Sequence, residues 1–175
     1  MIIGIPREIK PEEKRVSLAP DGVESFVRHG HQVLIEQNAG EGCGIPDGDY
    51  RAAGASVKRT AGALWKKADM IIKVKEPLSS ECRLMGENQI VFTFLHLAAN
   101  KKLTRELLQK RVVGIAYETV QLNDCSLPIL RPMSEIAGHL SAQLGSRGLE
   151  KQNGGMGILM GGVHGVSPAR VTVIG

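Results

Sequence analysis

Short apolar runs alternate with amphipathic stretches along most of this chain. Apolar runs lie at Ile2 to Ile5, Val33 to Ile35, Met70 to Val74, Ile90 to Leu95, Val112 to Ala116 and Val171 to Ile174. Each is strand-length and rich in β-branched residues, which suits strands buried on both faces. Between them, Asp21 to His29, Thr60 to Ala68 and Asn100 to Arg111 open on polar capping types and carry apolar residues at helical spacing. Strands alternating with helices predict a doubly wound, mostly parallel α/β sheet.

From Pro132 to Lys151 the period lengthens into one helix, with Met133, Ile136, Ala137, Leu140, Leu144 and Leu149 along a stripe. Proline at its first position and a Gly-Gly pair after its end punctuate it. The glycine-rich passage GGMGILMGGVHGVSP follows, and its apolar residues predict an ordered, closely packed connection rather than a flexible linker. The final ARVTVIG predicts the first strand of a second domain, with Gly175 as first glycine of a G-x-G-x-x-G turn. The expected division is therefore a substrate domain at 1–131, a linking helix at 132–151 and the start of a nucleotide domain at 152–175.

Composition adds limits. The chain has 175 residues, 42% hydrophobic and 23% charged, which is ordinary for a globular protein and far from the disordered class. The opening MIIGIPREIK lacks a basic leader and a long apolar stretch, and no window holds 18 apolar residues, so a cytoplasmic protein with no membrane partner is expected. Cys43, Cys82 and Cys125 are too scattered for a disulfide framework or thiolate zinc site. The net charge of +4 comes from dispersed residues, and aromatics at 3% are too few for base stacking, so nucleic acid is not an expected partner. No His pair has the spacing of a metal site, and none is expected.

In open α/β sheets ligands bind beyond the carboxyl ends of the strands. Four predicted exits carry chemistry: Arg15 after the first run, Lys75 after the Met70 run, His96 after the Ile90 run, and Tyr117 with Glu118 after the Val112 run. Singly, each has a plainer explanation: a solvated cation, a structural histidine, a packed phenol. Together, two fixed cations and an imidazole at one edge suit a small carboxylate undergoing proton transfer.

The blocks GIPREIKPEEKRVSLAP, GHQVLIEQNAG, DGDYRAAGA, IIKVKEP, FTFLHLAAN, IAYETV, PILRPMSEIAG and GGVHGVSPARVTVIG run in order over nearly the whole chain. With them the sequence resembles the amino-terminal part of the alanine dehydrogenase and pyridine nucleotide transhydrogenase family, on its alanine dehydrogenase side. The resemblance implies a flavodoxin- or Rossmann-like substrate domain and reversible NAD-dependent oxidative deamination of L-alanine to pyruvate and ammonia. It assigns the carboxylate to Arg15, the carboxylate and keto oxygen to Lys75, and acid/base work to His96. Tyr117 and Met133 line the substrate pocket, and Ser134 and Gly175 contact the dinucleotide. It further implies a hexamer, and a nucleotide-binding domain most of which lies past Gly175, so the isolated chain is expected to turn nothing over. Departures are Pro11, Glu12 and Glu13 ahead of Lys14-Arg15, Met156 in place of a common arginine, and His164 in place of a usual proline. The soluble subunit of a transhydrogenase and a non-catalytic gene fragment are the alternatives. FLHLA and AYETV favour the amino-acid enzyme, since a transhydrogenase needs no substrate acid/base at His96.

Overall fold

A computed structural model describes residues 1–174. Gly175, and with it the proposed first glycine of a nucleotide turn, lies outside the described residues.

Six strands form one sheet: β1 (Ile2–Ile5), β2 (Gln32–Glu36), β3 (Ser56–Lys58), β4 (Met70–Ile72), β5 (Ile90–Thr93) and β6 (Val113–Ala116). Their spatial order is β3-β2-β1-β4-β5-β6, and every neighbouring pair is parallel. This is a doubly wound sheet whose order reverses between β1 and β4, where a ligand crevice is expected. The helices are α1 (Pro20–Arg28), α2 (Asp47–Ala52), α3 (Ala61–Trp65), α4 (Ser79–Cys82), α5 (Lys101–Lys110) and α6 (Arg131–Leu149).

Alternation along β2 divides the core. Val33 and Ile35 pack with Ile5, Val23 and Tyr50 on one face, while Leu34 packs with Leu64, Trp65, Ile71, Val91 and Leu107 on the other. Both faces are buried, as near-continuous apolar strands require. The capping residues act as their types predict. Thr60 accepts from the Ala63 N–H at 3.3 Å, and Asn100 from the Leu103 N–H at 3.0 Å.

Three differences from the sequence reading have physical causes. The strand Ser56–Lys58 is only three residues long and half-buried, too short to carry a period. The run Met70 to Val74 stops pairing after Ile72 because the Val74 N–H turns to a carboxylate of Glu8 at 2.7 Å. The run Val171 to Ile174 is not a strand: none of the described strands pairs with it, and strand geometry needs a neighbouring ladder.

The chain divides into two compact units, Met1–Val120 and a second from Gln121 onward. The second contains α6, a glycine-rich stretch of turns and an isolated bridge between Val163 and Val166. That stretch is ordered but only locally close-packed. A side chain at Gly155 would collide with the Gly148 carbonyl, whereas Met156 is 81% and Leu159 65% exposed.

Candidate functional site

The site is built from the exits of β1, β4, β5 and β6. Leaving β1, residues 6–19 form a long loop pinned in several places. The Arg7 N–H donates to Glu36 at 2.9 Å, and Ser17 Oγ donates to the Ile72 carbonyl at 2.8 Å. This loop carries Arg15, whose side chain is 44% exposed. Glu13 accepts from the Arg15 main-chain N–H at 2.9 Å, from Nε at 2.8 Å and from Nη2 at 2.6 Å. That forked contact, helped by the nearby Lys75 charge, holds the Glu13 carboxyl down at about 2, against the opposing effect of burial.

At the β4 exit lies a buried ionic cluster. Lys73, 1% exposed, sits 3.0 Å from Glu8 and 2.8 Å from Glu81. Glu8 also accepts from the main-chain N–H groups of Val74 at 2.7 Å and Lys75 at 3.4 Å. The Lys75 carbonyl in turn accepts from Thr93 Oγ1 at 3.0 Å. The backbone under the Lys75 side chain is thus tied to the β1 exit on one side and to β5 on the other. The next residue, Glu76, forms an ion pair with Lys10 of the β1 loop.

His96 follows β5. It is exposed, with φ of 48° and ψ of 39°, and its ring lies parallel to Phe94 with centroids 5.7 Å apart. Against burial, which raises it, the Lys10 contact holds the neighbouring Glu76 carboxyl below the ordinary value. Tyr117, after β6, is buried edge-on to Phe92 at 4.5 Å and Phe94 at 5.2 Å. Burial, with Glu8 adding, pushes its phenol up well beyond its ordinary value, so it is neutral at physiological pH.

The structure therefore places Arg15, Lys75, His96 and Tyr117 at the carboxyl edge of neighbouring strands, linked through Glu13, Glu8, Glu76 and an aromatic trio. None of the three charged groups is in the interior. Two hollows open here, one of about 170 Å³ beside Glu8, Glu13 and Arg15, and one of about 390 Å³ beside His96, Ala116 and Glu118. A larger cavity of about 730 Å³ lies at the opposite edge, where β4 and β5 begin, among Trp65, Arg83 and Gln89. The switch-point geometry favours the carboxyl edge, where Arg15 lines the smaller hollow, His96 the larger, and Lys75 neither.

Met133 and Ser134 belong to the second unit, in the first turn of α6. Met133 is half-buried and Ser134 exposed. The main-chain N–H groups of both already donate to the Leu130 carbonyl at 3.1 Å, and Pro132 has no N–H. Ser134 therefore offers an anion its hydroxyl and the helix dipole rather than a set of open amides. Among the described residues no group of His, Cys, Asp and Glu is arranged to hold a metal ion. No helix there is long and apolar enough to cross a membrane.

Residues 4–137 match the family described as alanine dehydrogenase/PNT, N-terminal domain, and residues 141–175 match its C-terminal domain. The chain belongs to the alanine dehydrogenase/PNT family. It is 58% identical over its whole length to an alanine dehydrogenase of Methanococcus maripaludis and 57% identical to one of Staphylococcus saprophyticus. It spans 47% of either relative, about half the length of the proteins it matches. A solved L-alanine dehydrogenase structure superposes with a TM-score of 0.85 at 52% identity, over 96% of this chain and 46% of that one. A transhydrogenase from Sinorhizobium meliloti superposes with a TM-score of 0.64 at 30% identity, over 67% of this chain and 34% of that one.

The carboxylates that sequence reasoning missed are Glu8 and Glu81, whose side chains are 3% and 5% exposed. Glu118 stands beside Tyr117 in IAYET, yet nothing in its spacing reveals that its partners are main-chain groups 22 residues away.

Proposed function

We propose that the Met1–Val120 unit holds the substrate of an alanine dehydrogenase, a three-carbon 2-amino or 2-oxo carboxylate, for reversible NAD-dependent oxidative deamination of L-alanine. The observation that supports this most is that Arg15, Lys75 and His96 follow the adjacent strands β1, β4 and β5 at one sheet edge, with Glu13 already in the guanidinium fork as a carboxylate does. Arg15 binds the substrate carboxylate. Lys75 pairs with the carboxylate and keto oxygen, offsetting charge as water adds to the imine carbon and ammonia leaves. His96 takes the ammonium proton that must depart before the α-carbon can lose hydride, and returns a proton in the amination direction. Tyr117 acts as a neutral wall of the pocket through its packing on Phe92 and Phe94.

NAD, when bound, supplies the hydride acceptor. By the family resemblance, Met133 is a substrate residue and Ser134 and Gly175 are dinucleotide residues. The reading keeps the domain division at 131 and 151 and the cytoplasmic location expected from the sequence pattern, and takes a hexameric assembly from the family resemblance.

Titration of the 175-residue chain with pyruvate, followed by NMR, tests the site. Arg15→Met and Lys75→Met are each expected to weaken binding by tenfold or more, about 1.4 kcal/mol. Equal affinity in both variants and the parent would sink the assignment. Mixed with L-alanine and NAD, the same chain is expected to give no rise in NADH absorbance, because near-attack geometry needs the cofactor held in place.

A further inference from the structure

His96 is one of few residues other than glycine with a left-handed backbone here, at φ 48° and ψ 39°. A side chain makes that conformation uncommon, and histidine, though found there more often than most, gains from a contact that fixes it. The support is visible. Glu118 Oε1 accepts from the His96 main-chain N–H at 2.7 Å and from the Leu95 N–H at 3.2 Å, with Oε2 3.3 Å from the latter. Pairing between β5 and β6 ends at Thr93 opposite Ala116. Beyond that point the Leu95 and His96 amides have no strand to meet, and a carboxylate delivered from the β6 exit stands in for one. Charge-assisted acceptance of two N–H groups is the strongest local device available for fixing such a turn. The chain then enters a single turn at Leu97–Ala99, closed by the Ala99 N–H on the His96 carbonyl at 3.2 Å.

We propose that Glu118 is a positioning residue for His96: by gathering the amides of Leu95 and His96 it holds residue 96 left-handed, so that the imidazole lies parallel to Phe94 beside the 390 Å³ hollow. This rests on the reading of His96 as the acid/base, and it adds a second carboxylate that works through main chain, as Glu8 does under Lys75. Glu118 itself touches no reacting atom.

The 175-residue chain, labelled with nitrogen-15, tests it in three forms: parent, Glu118→Gln and Glu118→Ala. The glutamine keeps an oxygen acceptor. In Glu118→Ala the Leu95 and His96 amides are expected to exchange at least tenfold faster, the His96 HN–Hα coupling to leave its left-handed value, and pyruvate affinity to fall tenfold or more. In Glu118→Gln all three are expected to stay within threefold of the parent or near its value. Unchanged exchange and coupling in Glu118→Ala would overturn the proposal. So would faster exchange with unaltered pyruvate affinity, which would make the contact a matter of fold alone. So would a glutamine variant as impaired as the alanine one. If the parent itself gives no pyruvate response, the substrate reading fails, while the exchange and coupling data still decide whether Glu118 holds His96.

Discussion

The Met1–Val120 unit and the stretch from Gln121 onward are made of similar residues, yet they keep their shapes by different means. The first buries both faces of a six-stranded sheet, with Trp65, Tyr50, Leu64 and Ile71 all at 1% exposure or less. In the second no described residue is buried, although α6 runs for 19 residues. Its apolar stripe is open, Ile136 at 51%, Leu140 at 44% and Leu144 at 63%. A helix closes its hydrogen bonds locally and adds pairs such as Arg131 Nε to Glu135 at 2.8 Å, one turn apart. A parallel strand has no such recourse, which is why Val171 to Ile174, apolar and β-branched, stays outside any ladder. The contrast teaches where the stability of this chain resides: in the first 120 residues.

The sharpest way to break that contrast is a pair of truncations. Trp65→Ala is expected to cost about 3–5 kcal/mol by urea unfolding of the chain, and Leu144→Ala to stay within about 0.5 kcal/mol. Similar losses at both positions would erase the distinction. Next in size is the ionic cluster. Lys73→Met leaves Glu8 and Glu81 facing each other without a cation, and removing one partner of a buried pair costs about 3 kcal/mol or more. Adding Glu81→Gln to that variant is expected to recover much of the loss; no recovery would mean that the carboxylates are not coupled through Lys73.

The smallest effect is at Glu13, because its partner Arg15 is 44% exposed and pairs open to solvent contribute below about 1 kcal/mol. Its folded carboxyl titrates at about 2 against an ordinary 4.5. The depressed value means that its contribution is complete above pH 4.5 and disappears as pH falls through about 2. Arg15→Met is expected to bring the carbon-13 titration of Glu13 back toward the ordinary value. A midpoint that does not move would show that Arg15 is not its cause.

Much of this architecture is legible from sequence because strands buried on two faces must be apolar and helices must be capped, and Ile2–Ile5, Thr60 and Asn100 obey those demands. The positions of Lys75 and His96 at the carboxyl edge were readable because a polar residue just past an apolar run falls there, whereas Arg15 lies well along the loop after β1. The partners of Glu8 and Glu118 were not readable, since they are amides 66 and 22 positions away, and only the parallel arrangement brings them together. Ser56–Lys58 escaped notice because three half-buried residues carry no period of their own.

The central position of β1 has a consequence for how the chain is made. One side of β1 pairs with β2 soon after it, but the other pairs with β4, whose first residue is Met70. At about 5–20 residues per second on the ribosome, roughly 3 to 13 seconds separate the synthesis of Ile5 from that of Met70. Throughout that interval the β1 backbone has one edge without its partner strand.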